Sequence, residues 1–536
     1  MMRIALMQLR RDRVTLPIWI AATALMAYAS AAGVAVEFPT DESRAQVLKL
    51  AVATPSLMAL RGLPDGSSLG SYVYFQVFTY LAVLAGLMST FFVVRHTRAD
   101  EERGRVELMR AAPIRATTGL SATLLLGVGA NLVLGLAIAG SFAAGGLDWT
   151  GSLIAGLATA SVGIVFVAVT ALVAQFTPTS RSANGISAGL VGLAFVLRAI
   201  GDAAGTPSAD GLSVTAAWPS WLSPIGWGQQ VFAFTQQNLA PLGLALAVAA
   251  LAGAAAFVAQ SRRDMGSSIL RERNGRATGS PLLRSPLALA WRQQWPSLVG
   301  WAVGAALLGS LAGSLAGRIA DTADLAPTLQ KLLELFVPGG RGQLIDLLVA
   351  AIIGIAGVLA AGAGVQTILR ARGEESDGRA ELVLAAPVHR AGWLLAWVSV
   401  AVIAATLVAL ATGLVAGLSF AGAPDAHDRF LSSLVAGVAQ LPAALTFVAI
   451  TTVIFVVLPR ATVALGWGLL AVGFIVGQFG ALMQLPDWLR KVSPFAHTPS
   501  IPAEGVDWSG AVVLLVISAA MIALSLALVR ERQLTS

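Results

Sequence analysis

The sequence of 536 residues contains no cysteine, four histidines and three lysines. Without cysteine the chain has no disulfide and no thiolate metal site, although its redox compartment stays undetermined. The lysines Lys49, Lys331 and Lys491 each follow a residue other than glycine, whereas a P-loop needs Gly-Lys-Ser or Gly-Lys-Thr to hold phosphate and magnesium. The histidines lack metal-ligand spacing. We therefore predict no ATPase motif, catalytic site, metal site or cofactor within this chain.

Charged residues are also scarce, at 12% of the chain against roughly 25% in a soluble domain, while hydrophobic residues reach 56% and the mean hydropathy is +0.77. A helix needs about 20 apolar residues to cross about 30 Å of hydrocarbon. Twelve stretches meet this need, which predicts an all-α integral membrane protein with about twelve transmembrane helices. The predicted spans are residues 14–36, 72–94, 117–142, 151–175, 185–200, 239–260, 296–317, 344–368, 393–420, 431–458, 463–481 and 509–529.

The basic residues predict the orientation. If the N-terminus is cytoplasmic, the inside segments carry 25 of the 35 lysines and arginines, so we place both termini in the cytoplasm. The net charge of +7 then indicates topology and attraction to anionic lipid head groups, not nucleic-acid binding. The first 36 residues resemble a signal peptide, but their apolar run exceeds the usual 7 to 15 residues, so we interpret it as a retained span.

One polar segment occurs twice, as RADEERGRVELMRAAPIR from Arg98 and as RARGEESDGRAELVLAAPVHR from Arg370. A constant offset of 274 residues aligns the two copies without gaps. The aligned pairs are Arg98 with Arg372, Glu101 with Glu375, Gly104 with Gly378, Arg105 with Arg379, Glu107 with Glu381, and Pro113 with Pro387. A repeat of this length makes half of the chain the unit of architecture.

Further matches extend the repeat beyond the polar segment, because Trp19 corresponds to Trp301 and Trp221 to Trp488. Corresponding spans run in the same direction, which indicates two parallel six-helix pseudo-repeats about an axis along the membrane normal rather than an inverted repeat. The predicted organisation is a first six-span half over 1–260, a cytoplasmic linker over 261–286 and a second six-span half over 287–536.

Shorter elements recur around the spans. Residues 3–13 and 287–295 have the composition of short helices lying in the cytoplasmic interface, or serve only as topogenic charge. The outer loops 37–71 and 318–343 each predict an amphipathic helix. The aromatic outer segments WPSWLSPIGW and LPDWLRKVSPF are either interfacial aromatic belts or re-entrant helices that seal the outer face.

The predicted spans hold few ionisable residues. Asp346 and Arg198 lie near outer ends of spans, and the polar groups at mid-membrane are mainly Asn131, Gln440 and Gln478. Ion-coupled carriers use ionisable groups inside the membrane, so this chain is poorly suited to proton relay. The energy for transport is expected to enter elsewhere.

The repeated polar segment is the longest cytoplasmic connection between spans within each half. A solvated loop with topogenic arginines is one interpretation of a single copy. The same spacing in two diverged halves favours docking to two copies of a cytoplasmic partner.

The pattern of acidic residues, Gly-x-x-Glu-Leu and a later proline resembles the coupling-helix loop of ATP-binding-cassette exporter permeases of the type-2 class. The present loops have Gly-Arg where that family usually has Gly-Thr. A fused twelve-span chain without an ATPase is similar to the polyketide-antibiotic exporter permeases of the tetronasin type. The resemblance implies a multi-pass permease of the bacterial cell membrane that works with two copies of a P-loop ATPase, and these subunits would bind ATP and magnesium.

The resemblance also implies site residues. The loops would contact the ATPase subunits through Glu101, Gly104, Arg105, Glu107, Pro113, Glu375, Gly378, Arg379, Glu381 and Pro387. Substrate would pass between the second and fifth spans of each half, where aromatic residues suit a hydrophobic ligand. These residues are Tyr74, Phe75, Phe78, Phe195, Trp467, Phe474 and Phe479; helix packing or lipid contact is the alternative for each of them.

The expected activity is export of hydrophobic or amphiphilic small molecules, such as antibiotics, with a lipid or glycoconjugate as the alternative cargo. A proton-coupled twelve-span carrier is a rival from another class, but it predicts acidic residues at mid-membrane. A lipid-processing membrane enzyme would need a clustered catalytic constellation, which the sequence does not show.

Overall fold

The computed structural model describes residues 1–110, 115, 117–263, 269, 284–319, 344–421, 425–479, 485–499, 501 and 507–532. The chain divides into two compact units, Met1–Gly275 and Arg276–Ser536. The described residues are almost entirely helical, and the sheet among them has two short strands, Thr206–Pro207 and Val214–Thr215. The prediction of an all-α integral membrane protein is confirmed.

The first unit contains six long apolar helices. We number them spans 1 to 6: Thr15–Glu37, Leu69–His96, Thr118–Ala144, Trp149–Phe176, Ser180–Ala203 and Ala240–Ser261. Span 5 is longer than predicted, because Thr179 caps its N-terminus and adds a turn before the apolar run. Spans 2 and 4 are the most buried of the six and form the centre of this unit.

The second unit continues the numbering. Spans 7 to 12 are Pro286–Ile319, Leu344–Ser376, Arg390–Leu418, Ala426–Val457, Thr462–Phe479 and Ser509–Glu531. Span 10 is interrupted at Gln440, where Pro442 follows within the first turn of the next helix segment. Among the described residues, eleven helices are long and apolar enough to cross a membrane. Span 11 is described over the 18 residues Thr462–Phe479, at the predicted position.

The basic segment before the first span of each unit folds differently in the two copies. Met2–Arg11 is a separate helix, which ends where Asp12 accepts a hydrogen bond from His96. The corresponding residues 287–295 are continuous with span 7, so the prediction of a separate short helix there is wrong. Gln294 stands in place of Asp12 and lies within the helix, which continues through this position. Its side-chain amide donates to Thr367 Oγ1 at 3.0 Å.

The outer segments of the first unit pack on its spans. In the loop 37–71, Asp41–Ala53 and Pro55–Arg61 form two short helices. Residues 320–343, which include the amphipathic helix predicted in the second unit, lie outside the described residues.

The aromatic segment before span 6 has an exposed part and a buried part. Trp218 and Trp221 are exposed, whereas the following helix Pro224–Gln229 is buried beside spans 4 and 5. Its Trp227 donates to the carbonyl of Trp221 at 2.6 Å. The buried helix fits the re-entrant interpretation, and the exposed tryptophans fit an aromatic belt.

Spans 3 and 4 approach each other through small residues. A Cβ atom on Gly156 would overlap the backbone of Gly135. Gly163 similarly leaves room for the amide of Asn131, which donates to Ser89 Oγ and to a carbonyl of its own helix, both at 2.9 Å. Glycine at these positions allows the close backbone contact typical of membrane helix pairs.

Candidate functional site

The first copy of the repeated polar segment forms a compact loop at one end of the first unit. We call the end of each unit that carries this loop the loop face. The helix Arg98–Glu102 follows span 2 directly, and the chain turns at Gly104, whose φ is +67°. The helix Arg105–Arg110 follows. Because left-handed φ values strain residues with a Cβ atom, glycine is suited to this turn. Pro113 lies outside the described residues.

The second unit repeats this geometry. Span 8 extends to Ser376, Gly378 turns the chain with a φ of +71°, and the helix Arg379–Leu384 follows. Pro387 is exposed beyond that helix. Both copies therefore present a helix of six residues after a left-handed glycine.

An inner carboxylate fixes the arginine that follows each glycine. In the first unit, Asp100 accepts from Arg105 at 3.1 Å. In the second, Glu374 accepts two bonds from Arg379, at 2.8 and 2.9 Å. These bonds raise the pKa of the Arg379 guanidinium above its ordinary value. Arg105 and Arg379 are thus tied to their own loops, although about half of each side chain is exposed.

The next carboxylate in each copy joins the loop to the end of the unit's last span. Glu101 pairs with Arg263, which follows span 6. Glu375 pairs with Arg532, which follows span 12, at 2.6 Å. The Glu375 side chain is only 1% exposed, and burial lowers the pKa of the Arg532 guanidinium. The structure therefore places Glu101 and Glu375 in internal ion pairs.

A third matched contact ties each loop to the turn between the fourth and fifth spans of its unit. Arg98 Nε donates to the carbonyl of Thr177 at 2.5 Å, and Arg372 Nε donates to the carbonyl of Pro459 at 2.9 Å. The start of each loop is therefore bound both to the turn between the fourth and fifth spans of its unit and to the end of the sixth.

The residues beyond the glycine are directed outward. Glu107 and Glu381 are exposed, and Leu382 is 78% exposed. Exposed carboxylates in the first turn of a helix are ordinary, and single exposed apolar side chains are also common on protein surfaces. The chemistry available at the tip of the second loop is thus one apolar contact beside one carboxylate.

The two loops differ at the position of Glu102. Glu102 accepts bonds from the backbone N–H of Ser180, at 2.7 Å, and from its hydroxyl, so it caps the N-terminus of span 5. A carboxylate at that position complements the helix dipole. Ser376 occupies the corresponding place in the second unit and donates to Gly373 in its own loop.

The aromatic residues proposed for the substrate pathway separate into groups. Tyr74, Phe75 and Phe78 are buried in the first unit, and Tyr74 donates to the carbonyl of Gly228 at 2.7 Å. The surroundings of these three residues therefore match the alternative interpretation, in which they serve helix packing. Phe195 is half-buried and lines an open apolar cavity of about 510 Å³ between spans 1, 2 and 5.

The candidates on span 11 lie at or near the surface of the second unit. Trp467 is 39% exposed and Phe474 is half-buried. The side chain of Phe479 lies outside the described part of the chain. The structure thus places one of the predicted pathway residues, Phe195, on a described cavity.

Sequence reasoning missed the internal partners of the loops. Arg263 and Arg532 were counted only as topogenic charge, yet each is a basic residue directly after the last span of its half. That matching position was the available signal. Asp100 and Glu374 also align at the offset of 274 residues, but nothing in the sequence shows which carboxylate turns inward.

Among the described residues, no cluster of three or more histidine and acidic side chains could hold a metal ion. The described polar groups of the loops are arranged in ion pairs and caps, which attach each loop to other segments of its unit.

Comparison with known proteins shows which family the chain belongs to. The chain is 34% identical to the multidrug efflux system permease protein Rv1217c of Mycobacterium tuberculosis (strain ATCC 25618 / H37Rv) over 529 residues, which cover 98% of this chain and 93% of that protein. The chain belongs to the Rv1217c permease family. Residues 283–530 also match the family model for the C-terminal domain of multidrug efflux system permease Rv1217c. The relationship over nearly the whole length includes both loops, so the chain is a multi-pass membrane permease of this family.

Proposed function

We propose that this permease exports hydrophobic or amphiphilic small molecules, including drugs, and that a separate P-loop ATPase drives the cycle by docking on both loops. The related mycobacterial permease is named for multidrug efflux, which supports the substrate class. The absence of a Gly-Lys-Ser or Gly-Lys-Thr sequence supports a separate energy source. Two loops of matching geometry support two ATPase copies, which would carry the ATP and magnesium. We propose that the permease lies in the bacterial cell membrane, and the excess of basic residues on one side of the predicted spans supports cytoplasmic termini.

The exposed Leu382 beside Glu381 carries the docking proposal. The Leu382 side chain is 78% exposed. Burying its apolar surface in a partner groove would lower the free energy of the complex. Glu381 and its counterpart Glu107 are exposed and free to form charge-assisted bonds with basic residues of a partner. The loop tip therefore presents the apolar centre and polar rim of a small interface.

The internal bonds of each loop give docking a mechanical consequence. Glu101 and Glu375 connect the loops to the last spans, and Arg98 and Arg372 connect them to the turns before the fifth spans. A displacement imposed on a loop tip would be transmitted to several spans of the same unit. Alternating access driven by ATPase closure needs this kind of stiff connection.

The apolar cavity between spans 1, 2 and 5 of the first unit supports the substrate class. Its volume of about 510 Å³ falls within the range of about 300–1,000 Å³ for small-molecule sites. Tyr80 and Phe195 supply aromatic faces to its lining. Of the predicted pathway residues, Phe195 faces a groove that an apolar molecule can enter, whereas Phe78 is buried.

Co-purification and coupled ATPase assays test the docking proposal. The permease is co-expressed in turn with each candidate P-loop ATPase subunit of its own genome, and a complex that co-purifies is assayed in vesicles for ATP hydrolysis and drug export. Leu382→Ser is expected to weaken ATPase recovery at least about fivefold, because fully burying a leucine side chain contributes about 1.5–3 kcal/mol. Glu107→Ala combined with Glu381→Ala should lower the stimulation of ATP hydrolysis and export together.

Glu531→Ala is the matched control, because it removes an exposed carboxylate from the same face beside Arg532. This variant should bind and stimulate the ATPase as the wild type does. Normal ATPase recovery and export in both loop variants would refute the role of the loops, and export without any ATPase would refute the whole proposal.

A further inference from the structure

A cationic cavity lies on the loop face of the first unit and is separate from the loop tips. Its volume is about 450 Å³, and it lies between the end of span 2 and the start of span 5. Four arginines supply its charge, and no carboxylate is among the described residues that line it. The lining consists of Arg11, Phe91, Arg95, Ala99, Arg103, Arg105, Ser180 and Asn184.

Carboxylates outside the lining hold three of these arginines in place. Asp100 binds Arg11, at 2.7 and 2.9 Å, and also Arg105 at 3.1 Å. Asp12 binds Arg95 at 2.6 Å. Each of the three side chains is nevertheless between 31% and 46% exposed. These guanidinium groups are already held in place, and each carries five N–H donors. The N–H groups that are not used in the ion pairs are suited to binding an anion.

The charge of this region stays positive. Glu102 is a third nearby carboxylate, but its oxygens are bonded to Ser180 at the start of span 5. Four guanidinium groups thus face three carboxylates, and Arg103 is exposed at the mouth. Asn184 adds a buried amide oxygen that has no hydrogen-bond partner among the described residues. Oxygen and nitrogen of such an amide exchange by rotation, so it can donate to a bound anion.

The apolar cavity described above continues along the same two spans. Leu87 lines the apolar cavity and Phe91 the cationic one, four residues apart on span 2. Ala188 and Asn184 are related in the same way on span 5. Four residues correspond to about 6 Å of helix, so the two cavities follow each other one turn apart.

The combined groove has the dimensions of one bilayer leaflet. From Phe91 to Tyr80 the span rises about 16 Å, which is half of the about 30 Å of the hydrocarbon core. The apolar end is lined by aliphatic and aromatic side chains of Met26, Tyr80, Leu84, Leu87 and Phe195. One end therefore suits an acyl chain and the other an acidic head group.

We infer that the first unit binds an anionic phospholipid from the leaflet at the loop face, with its phosphate among the four arginines and one acyl chain between spans 1, 2 and 5. The planar guanidinium fork matches phosphate oxygens in a bidentate manner. Attraction of basic clusters to anionic lipid is general, but here a tail groove directly above the head-group site selects a lipid over a free anion.

The second half lacks the matching charges, so this site has no counterpart at the same positions of the second unit. Under the repeat offsets, Gln293 stands in place of Arg11, Leu369 in place of Arg95 and Asp377 in place of Arg103. One arginine of the four, Arg379, is retained. One bound lipid for each chain is the expected stoichiometry.

Native mass spectrometry of the full chain tests this inference. The protein is reconstituted in vesicles of phosphatidylcholine containing one third phosphatidylglycerol, extracted in mild detergent and examined for retained lipid. Wild type should retain one phosphatidylglycerol in preference to phosphatidylcholine. Arg103→Gln should weaken retention about fivefold, the effect of one basic residue near an anionic surface. Gly192→Trp should abolish it by filling the groove, because a Cβ atom at Gly192 meets open space.

Two matched variants control for general effects. Arg13→Gln removes an exposed charge close to the site but outside its lining, and Gly243→Trp adds an indole to an exposed position on span 6. Both should retain lipid as wild type does. Equal losses in Arg13→Gln and Arg103→Gln would refute a specific site, and so would displacement by millimolar inorganic phosphate or retention unaffected by Gly192→Trp.

Discussion

Removing one member of the Arg198 and Asp202 pair should strongly destabilise the first unit. Both side chains are fully buried at the outer end of span 5, with Arg198 Nη1 donating to Asp202 at 2.9 Å. Arg198 also donates to the carbonyl of Ala59 in the outer loop. Asp202 accepts from Gln229 at 2.7 Å and from Ser220 at 3.1 Å. The pair thus joins span 5 to the outer loop and to the aromatic segment before span 6.

The expected magnitude follows from this burial. Breaking a buried pair by removing one partner leaves an uncompensated charge and costs about 3–5 kcal/mol. Replacing both members by apolar residues of similar volume is often neutral, because the cost of burying the charges disappears as well. Arg198→Met and Asp202→Leu should therefore each be worse than the two changes combined. For a unit of this size, each single change should lower the Tm by roughly 10 °C.

Thermal unfolding in detergent, followed by loss of the monodisperse fluorescent peak, provides the measurement. The exposed pair Arg490 and Asp487, whose side chains are 32% and 84% exposed at a distance of 3.2 Å, is the control. Exposed pairs contribute about 0–1 kcal/mol, so Arg490→Met should leave the Tm nearly unchanged. Equal Tm values for Arg198→Met and Arg490→Met would refute the reasoning, as would a double variant whose loss equals the sum of the single losses.

Three further substitutions test the packing and the loops. Gly163→Ala should cost about 1–3 kcal/mol, because the added methyl group overlaps the Asn131 amide, and size-exclusion profiles should show aggregation. Gly378→Ala should cost about 1–2 kcal/mol through its left-handed φ, visible as a lower Tm with no lost contact. Arg532→Gln removes the charge that pairs with the buried Glu375 carboxylate and should lower the Tm, and adding Glu375→Gln should recover part of that loss.

Span positions and the repeated loops were predictable because length, hydropathy and a gap-free offset are properties of the chain itself. Span 5 begins at Ser180, before its apolar run starts. Thr179 caps the helix at that point, and hydropathy does not detect such a cap. The continuous helix through Gln294 was not predictable either, since Asp12, the residue at the break in the first copy, contacts His96 across 84 residues and local sequence does not show that contact.

The loop residues show the same division. The turns at Gly104 and Gly378 follow from local backbone chemistry. The inward direction of Glu375 does not, because its partner Arg532 lies 157 residues away and the carboxylate could equally have faced solvent. Aromatic composition likewise could not distinguish the buried Phe78 from Phe195 on the cavity, since the difference arises from which helix face packs on span 4.

The pair formed by Glu101 and Arg263 determines where the first half of the chain can be cut. The sixth helix ends at Ser261, and a fragment trimmed at that residue would lose the guanidinium that binds Glu101 in the loop. A fragment that continues past Arg263 keeps all the bonds described for its loop. Separate expression of the two halves should therefore use a break within residues 270–283, and the functional length of the last helix in each half includes one arginine beyond its hydrophobic end.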